Sequence, residues 1–576
     1  PEKHLLIQHS EQRTDIPIPK LADLLASCNP EQLGPAEKAS HLFPESRGPV
    51  TLEKGAENHI RFAVGDQAPQ WKGSTGGNRI MLGGNETKLN AMAPLLIGNP
   101  HDPNGEASKP AWQEFETQLA KAKVLGIDGI STDVWWGVVE PREGKFDFEY
   151  YDKLSSTIGH GIDKVTGKQI GAGLNWVPIN SFHECGGNVG DTVNVPVPFW
   201  VWNRISSQIP GSSPDVGKFK SEQGNVSSEY PQFWADKYAA PLYKNFMTKF
   251  GEHFADKASF ISEINVSLGP AGEARYPSYN HHDQNVGYPT RGAMQASSDL
   301  AKADFKDFML KKYGNFENLQ KAWGGHVENI EPPVDTEGFF RDHIHTDTQY
   351  GKDVFDWYNQ TLINHIQTVM GDAFDVFGKM PEYKNTKIGM KLPGIHWRIG
   401  ENAGDHVILS DRLAELNAGL IRTSGNDWNS DELGRGYRPL LSGIKQLMDS
   451  KPNGKNLVLH FTALEMPDGQ DGPQAKALPY TLANWVGREA QHQGIPLKGE
   501  NALAGTLHGQ NAWDIMTSHL NLPGKPGYYG GITFLRLGDV VDNPTAAENV
   551  ERIMRTIRPQ QPQQQITPAA PQKNAS

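Results

Sequence analysis

Residues 111–136 read Ala-Trp-Gln-Glu-Phe-Glu-Thr-Gln-Leu-Ala-Lys-Ala-Lys-Val-Leu-Gly-Ile-Asp-Gly-Ile-Ser-Thr-Asp-Val-Trp-Trp, and the hydrophobic period changes part-way along them. Trp112, Phe115, Leu119 and Ala122 recur at the spacing of one helix face, and Gly126 supplies a stop. The segment 127–136 then runs on as a buried-strand pattern. A strand candidate at 91–97 precedes the helix, so the three segments make one strand–helix–strand unit. Downstream, strand candidates recur at 170–179, 261–268, 387–392, 457–461, 495–499 and 531–537, with helical patterns between them. After the last comes Asn543-Pro544, a cap followed by a first-turn proline, and then a stripe of Val550, Ile553, Met554 and Ile557. Eight such units predict an α/β fold, a (β/α)8 TIM barrel, with the chemistry just past the carboxyl ends of the strands. Long βα-loop insertions are expected to form a small lobe over that end.

Outside this pattern the composition changes. Residues 1–87 are rich in Gly, Pro and polar types, with one helical candidate at Leu21, Leu24, Leu25 and Cys28, and are expected to form an arm on the barrel. Residues 558–576 are a Gln/Pro tail of low complexity. The catalytic domain is therefore expected to span 88–557.

A formal net charge of −12, spread along the chain, argues against nucleic acid or an anionic membrane surface as partner. No stretch approaches the roughly 18–20 apolar residues of a membrane span. Two cysteines, Cys28 and Cys185, make neither a disulfide framework nor a four-cysteine metal site, and two free thiols are expected. The start, Pro1-Glu2-Lys3-His4, has no apolar signal core and no Met, which reads as a processed or trimmed chain. A location outside the cytoplasm is favoured over one within it, and a monomer over an oligomer.

Two segments carry the sharpest chemistry. Leu268-Gly269-Pro270-Ala271-Gly272-Glu273-Ala274-Arg275-Tyr276 directly follows the candidate strand 261–268, which aims Glu273 into the barrel mouth. A carboxyl group partly withdrawn from water there can protonate a leaving oxygen. The plain alternative is a structural turn in which Glu273 pairs with Arg275. His183-Glu184-Cys185-Gly186-Gly187-Asn188-Val189-Gly190-Asp191 also follows a strand, and its glycines suit a loop that closes over a ligand. His183 and Asp191 can there bond sugar hydroxyls. Nothing else in the chain completes a metal site with His183, Glu184 and Cys185, so no metal is expected.

Both segments resemble the signature motifs of the β-amylase family, glycoside hydrolases that degrade starch. The loop from His183 to Asp191 agrees with the family pattern, and the Glu273 segment departs from it at Ala274, where a larger aliphatic residue is usual. Five more segments are similar, in family order: Thr132-Asp133-Val134-Trp135-Trp136, Lys391-Leu392-Pro393-Gly394-Ile395-His396-Trp397, Phe461-Thr462-Ala463-Leu464-Glu465, Gly499-Glu500-Asn501 and Thr533-Phe534-Leu535-Arg536. His460 stands where plant members carry Asn. The resemblance implies an exo-acting, inverting hydrolase that needs no cofactor; a structural calcium ion is left open. Glu273 is implied as acid and Glu500 as base, with the carboxyl groups roughly 6.5–9.5 Å apart to admit a water. Asp133, His183 and Asp191 are implied to grip the sugar on one side of the scissile bond, with Lys391 on the other and His396 also a substrate-binding group. Thr462, Asn501 and Arg536 are implied to orient the base and its water. The substrate implied is an α-1,4-glucan and the product maltose.

Each match has a plainer alternative. Trp135 and Trp136 read equally as core aromatics, Lys391 as a strand-end lysine, and Arg536 as an ion-pair partner. By spacing alone Glu465 is as good a base as Glu500; the resemblance decides for Glu500. For the whole chain the rivals are a non-catalytic glucan-binding or regulatory protein on the same barrel, and a retaining barrel glycosidase acting on another sugar.

Overall fold

The computed structural model describes residues 87–558, apart from 160, 163–168, 187–190, 278–293, 326–328, 397–417, 421–435 and 470–476, and the backbone of four short strands nearer the amino terminus. The helical candidate at 21–28 and the Gln/Pro tail lie outside the described residues. The chain divides into two units, Pro1–Arg79 and Ile80–Ser576. In the first, His4–Ile7 pairs antiparallel with Thr14–Pro17, and Val50–Lys54 with Ile60–Val64.

In the second unit eight parallel strands close into a barrel. They are β1 (Lys88–Met92), β2 (Gly129–Trp135), β3 (Asn175–Ser181), β4 (Glu263–Val266), β5 (Lys387–Leu392), β6 (Leu457–Phe461), β7 (Leu497–Glu500) and β8 (Gly531–Phe534). Each pairs with its successor, and β8 returns to β1. A helix follows every strand: α1 (Lys109–Leu125), α2 (Glu149–Ile158), α3 (Asp236–His253), α4 (Gln349–Phe377), α5 (Tyr437–Ser450), α6 (Pro479–Gln493), α7 (Gln510–His519) and α8 (Pro544–Ile557). The (β/α)8 expectation is met. The long connections run from β3 to α3, with the hairpin Lys218–Lys220/Val226–Pro231, and from β4 to α4, with the helix Asp299–Tyr313.

Local chemistry explains where the elements start and stop. On α1 the residues Trp112, Phe115, Leu119 and Ala122 are buried, and Gly126 ends the helix at φ 86°. On α8 the Asn543 side chain accepts from the Ala546 amide at 3.1 Å, ahead of Pro544. The first strand lies earlier than the 91–97 reading because Pro94 has no N–H to continue the ladder; Leu95 and Ile97 bury beyond its end. The third begins later than 170, since Gly171 and Gly173 turn the chain at positive φ. The eighth stops at Phe534, and Leu537 opens a short helix.

The barrel interior is not wholly apolar. Glu263 and Asn265 alternate inward on β4, and Gly389 of β5 leaves them room: a Cβ there would stand 2.0 Å from Asn265 Oδ1 and 2.9 Å from Glu263 Oε1. Gly389→Ala is therefore expected to destabilise the barrel by about 1–3 kcal/mol. A urea-unfolding midpoint equal to that of the parent would contradict this packing.

Candidate active site

The residues singled out in the sequence fall at the carboxyl ends of the strands. Asp133 lies on β2, and His183 and Asp191 follow β3. Glu273 follows β4; Lys391 is on β5, with His396 just beyond it. Thr462 follows β6, Glu500 ends β7 with Asn501 next, and Arg536 follows β8.

The two glutamates share neighbours. Glu273 is presented by the short turn Pro270–Gly272 and is 8 % exposed. Its Oε2 accepts from Arg275 Nε at 2.9 Å, and its Oε1 from Thr462 Oγ1 at 2.8 Å. The ion pair with Arg275 thus forms, but at the barrel mouth rather than in a remote turn. Glu500 is 4 % exposed and pairs through Oε2 with Lys391 Nζ at 2.9 Å. Lys391 touches both sides of the site: the amide of Ala274, next to Glu273, donates to its carbonyl at 2.9 Å. The loop after β6 does the same, with Thr462 on Glu273 and the Leu464 amide donating to the Glu500 carbonyl at 3.0 Å.

Charge gathers around this pair. Burial pushes the Asp133 carboxyl up, against the pull of Lys391, Arg536 and a 2.8 Å bond from Ser181 Oγ. Burial pushes His183 down to about 3, helped by Lys391 and Arg275 and opposed by Asp191. The ring is therefore a neutral partner above that pH, with Nδ1 2.9 Å from Ser267 Oγ and Trp135 edge-on at 5.1 Å. Asp191 is half-buried, and its Oδ2 accepts from the Gly186 amide at 2.9 Å. Met92 Sδ lies 4.0 Å from Lys391 Nζ and 3.8 Å from Arg536 Nη1, so one thioether separates the two cations. His396 is buried, and its carbonyl accepts from the Leu478 amide.

A family model, that of glycosyl hydrolase family 14, matches residues 95–558. The chain belongs to this family. Similar proteins include the thermophilic beta-amylase of Thermoanaerobacterium thermosulfurigenes, 34 % identical over 437 residues, which are 74 % of this chain and 68 % of that protein. The beta-amylase of Niallia circulans is 34 % identical over 447 residues, 76 % of this chain and 66 % of that protein. The chain thus spans about two thirds of the length of these two relatives. Among solved structures, the catalytic domain of the beta-amylase from Paenibacillus polymyxa superposes with a TM-score of 0.62 at 31 % identity, over 82 % of this chain and 98 % of that one. Membership of family 14 makes the chain a glycosidase.

Within this family 14 chain the rival carboxylate, Glu465, is engaged elsewhere. It is 2 % exposed and accepts from the amides of Ala502 and Leu503 at 2.9 and 3.0 Å. Its role there is to hold the backbone just past Glu500. The amide of Asn501 is used likewise: Nδ2 donates to the Leu503 and Leu535 carbonyls, and Oδ1 accepts from the Leu535 amide at 2.8 Å. It ties the end of β7 to the end of β8. Trp135 and Trp136 are both core aromatics, each with its indole N–H bonded, to the Leu95 carbonyl and to Glu140. Cys185 is buried and free; Cys28 lies outside the described residues. Among the described residues no helix is long and apolar enough to cross a membrane.

Sequence reasoning missed Met92, Ser181 and Ser267, and took Arg275 only as a structural partner. Ser181 and Ser267 carried a signal, since each stands at or next to the end of a strand that leads into a segment already singled out.

Proposed function

We propose that this family 14 glycosidase is an exo-acting, inverting hydrolase that releases β-maltose from the non-reducing ends of α-1,4-glucans such as starch and maltooligosaccharides. The observation that carries the reading is that Lys391 joins the Glu273 segment to Glu500, its carbonyl taking the Ala274 amide and its ammonium pairing with the Glu500 carboxylate. In this reading Glu273, protonated, gives its proton to the glycosidic oxygen as the bond to C1 breaks. Glu500, ionised, takes a proton from the water that attacks C1 from the opposite face. Arg275 and Thr462 hold Glu273 by one oxygen each, and Lys391 keeps Glu500 aimed. Asp133, neutral His183 and Asp191 hold the sugar on the non-reducing side; Lys391 and His396 meet the other side, and Arg536 steadies the charge near Asp133. Residues 88–557 are the catalytic domain in this proposal, working as a monomer. The names of the beta-amylase relatives support the choice of substrate.

Proton NMR of fresh product from a maltooligosaccharide ladder tests it. The expected result is β-maltose first, with chains shortening by two glucose units. Early α-maltose would reject inversion, and a series shortening by one unit would reject the disaccharide product. No reducing sugar at all from soluble starch would leave a glucan-binding protein as the better reading.

A further inference from the structure

Ser267, one residue past β4, is fully buried, and its main chain is tied on both sides. Its amide donates to the Asn180 carbonyl of β3 at 3.1 Å, and its carbonyl accepts from the Tyr230 hydroxyl at 3.2 Å. Tyr230 belongs to the hairpin inserted between β3 and α3. The same hairpin takes the amide of Glu184, next to His183, on the Glu229 carbonyl at 2.8 Å. His183 and Ser267 are thus anchored by one insert as well as by neighbouring strands, and Ser267 Oγ stands 2.9 Å from His183 Nδ1. The ring also lies against Gly272, at φ 78°, where a Cβ would stand 3.3 Å from His183 Cε1. It therefore sits beside the turn that presents Glu273.

Counting protons on this pair fixes the tautomer. Among the described residues the Ser267 hydroxyl has no hydrogen-bond partner other than His183 Nδ1, and it is withdrawn from water. Were the ring proton on Nδ1, the Ser267 O–H would be a buried donor without an acceptor, an arrangement that costs free energy and that native structures avoid. With Nδ1 unprotonated, the hydroxyl donates to it and both groups are satisfied. Burial, Lys391 and Arg275 keep a second proton off the ring. The one proton then belongs on Nε2, which has no partner among the described residues, while the side chain keeps some exposure. We propose that Ser267 is a positioning residue that holds His183 in its Nε2–H tautomer, so that His183 meets the glucan only as a hydrogen-bond donor. The proposal deepens the reading of His183 as a sugar-binding group and rests on it. Asp191 supplies carboxylate acceptors on the same side of the scissile bond in that reading. The Ser267 hydroxyl makes His183 the complementary donor, whereas the opposite tautomer would offer the sugar another acceptor.

The imidazole nitrogen resonances of His183, recorded by NMR on the parent protein near neutral pH, read the tautomer without turnover. A protonated Nε2 and an unprotonated Nδ1 are expected; a ring protonated at Nδ1, or a mixture of the two forms, overturns the proposal. In Ser267→Ala the single form should give way to a mixture, and an unchanged spectrum would show that the hydroxyl does not set it. Kinetics read the consequence. A bond to a sugar hydroxyl that is made equally before and during the reaction acts on KM alone. Ser267→Ala should therefore raise KM for a maltooligosaccharide by roughly 3- to 10-fold, the usual worth of one hydrogen bond, with kcat little changed. An unchanged KM, or a loss confined to kcat, overturns the role in binding. Should Ser267→Ala not fold, the spectrum of the parent still decides the tautomer. The glucan reading fails separately, if the parent shows the expected tautomer but releases no reducing sugar from soluble starch.

Discussion

Glu500→Gln is expected to lower kcat on maltooligosaccharides by roughly 100- to 10,000-fold, the usual worth of a positioned proton acceptor. The amide is nearly isosteric with the carboxylate, so the barrel should hold, as circular dichroism would verify. What it loses is any capacity to take the proton of the attacking water. Lys391 Nζ, 2.9 Å from Oε2, also loses its anionic partner. Glu273→Gln should fall as far on natural glucans, but for a different reason, and one further measurement separates the two. With a nitrophenyl maltoside the leaving group departs without protonation, so Glu273→Gln should regain most of its rate. Glu500→Gln should not, because the water still needs its base. Equal recovery of both variants would refute the division of roles, and an active Glu500→Gln would turn attention to Glu465.

Glu263→Leu should destabilise the fold by roughly 3–5 kcal/mol, more than Gly389→Ala, because it leaves the Lys498 ammonium and the His460 ring without the carboxylate they face. Denaturant unfolding of parent and variant across a pH series checks it. The sign follows from the folded-state carboxyl, which lies below its unfolded value of about 4.3. Its stabilising contribution is complete above that value and is lost as the pH falls toward the folded one. The gap between parent and variant should therefore be widest near neutrality and close below about pH 4. A gap that widened on acidification would show that Glu263 is not held as an anion.

The barrel was legible because its signals are local. The one-face spacing of Trp112, Phe115, Leu119 and Ala122 and the Asn543-Pro544 pair each describe a helix without reference to the rest of the chain. Strand limits were less so: the apolar run 91–97 hides Pro94, and only the ladder reveals that β1 ends before it. Glu273 could be picked out because it follows a strand, whereas Lys391 and Glu500 were named through the resemblance of their segments to the family's motifs. The dependence of one on another could not, because the Lys391 carbonyl takes the amide of Ala274, next to Glu273, and a main-chain contact leaves no mark on residue type. Glu263 was overlooked for a related reason. Inside an apolar strand pattern it looks like an interruption, until Gly389, Lys498 and His460 arrive from three other strands to accommodate it.

The double use of Lys391 limits how such an enzyme can be edited. Backbone of one strand fixes the segment that carries Glu273, and the tip of the same residue steers the Glu500 carboxylate. Lengthening or shortening the chain between Glu273 and Arg275, or at residue 391 itself, would displace both glutamates together. Variation in chain length among functional descendants should then be confined to the outer connections, such as those leading to α3 and α4, and be absent from these few positions.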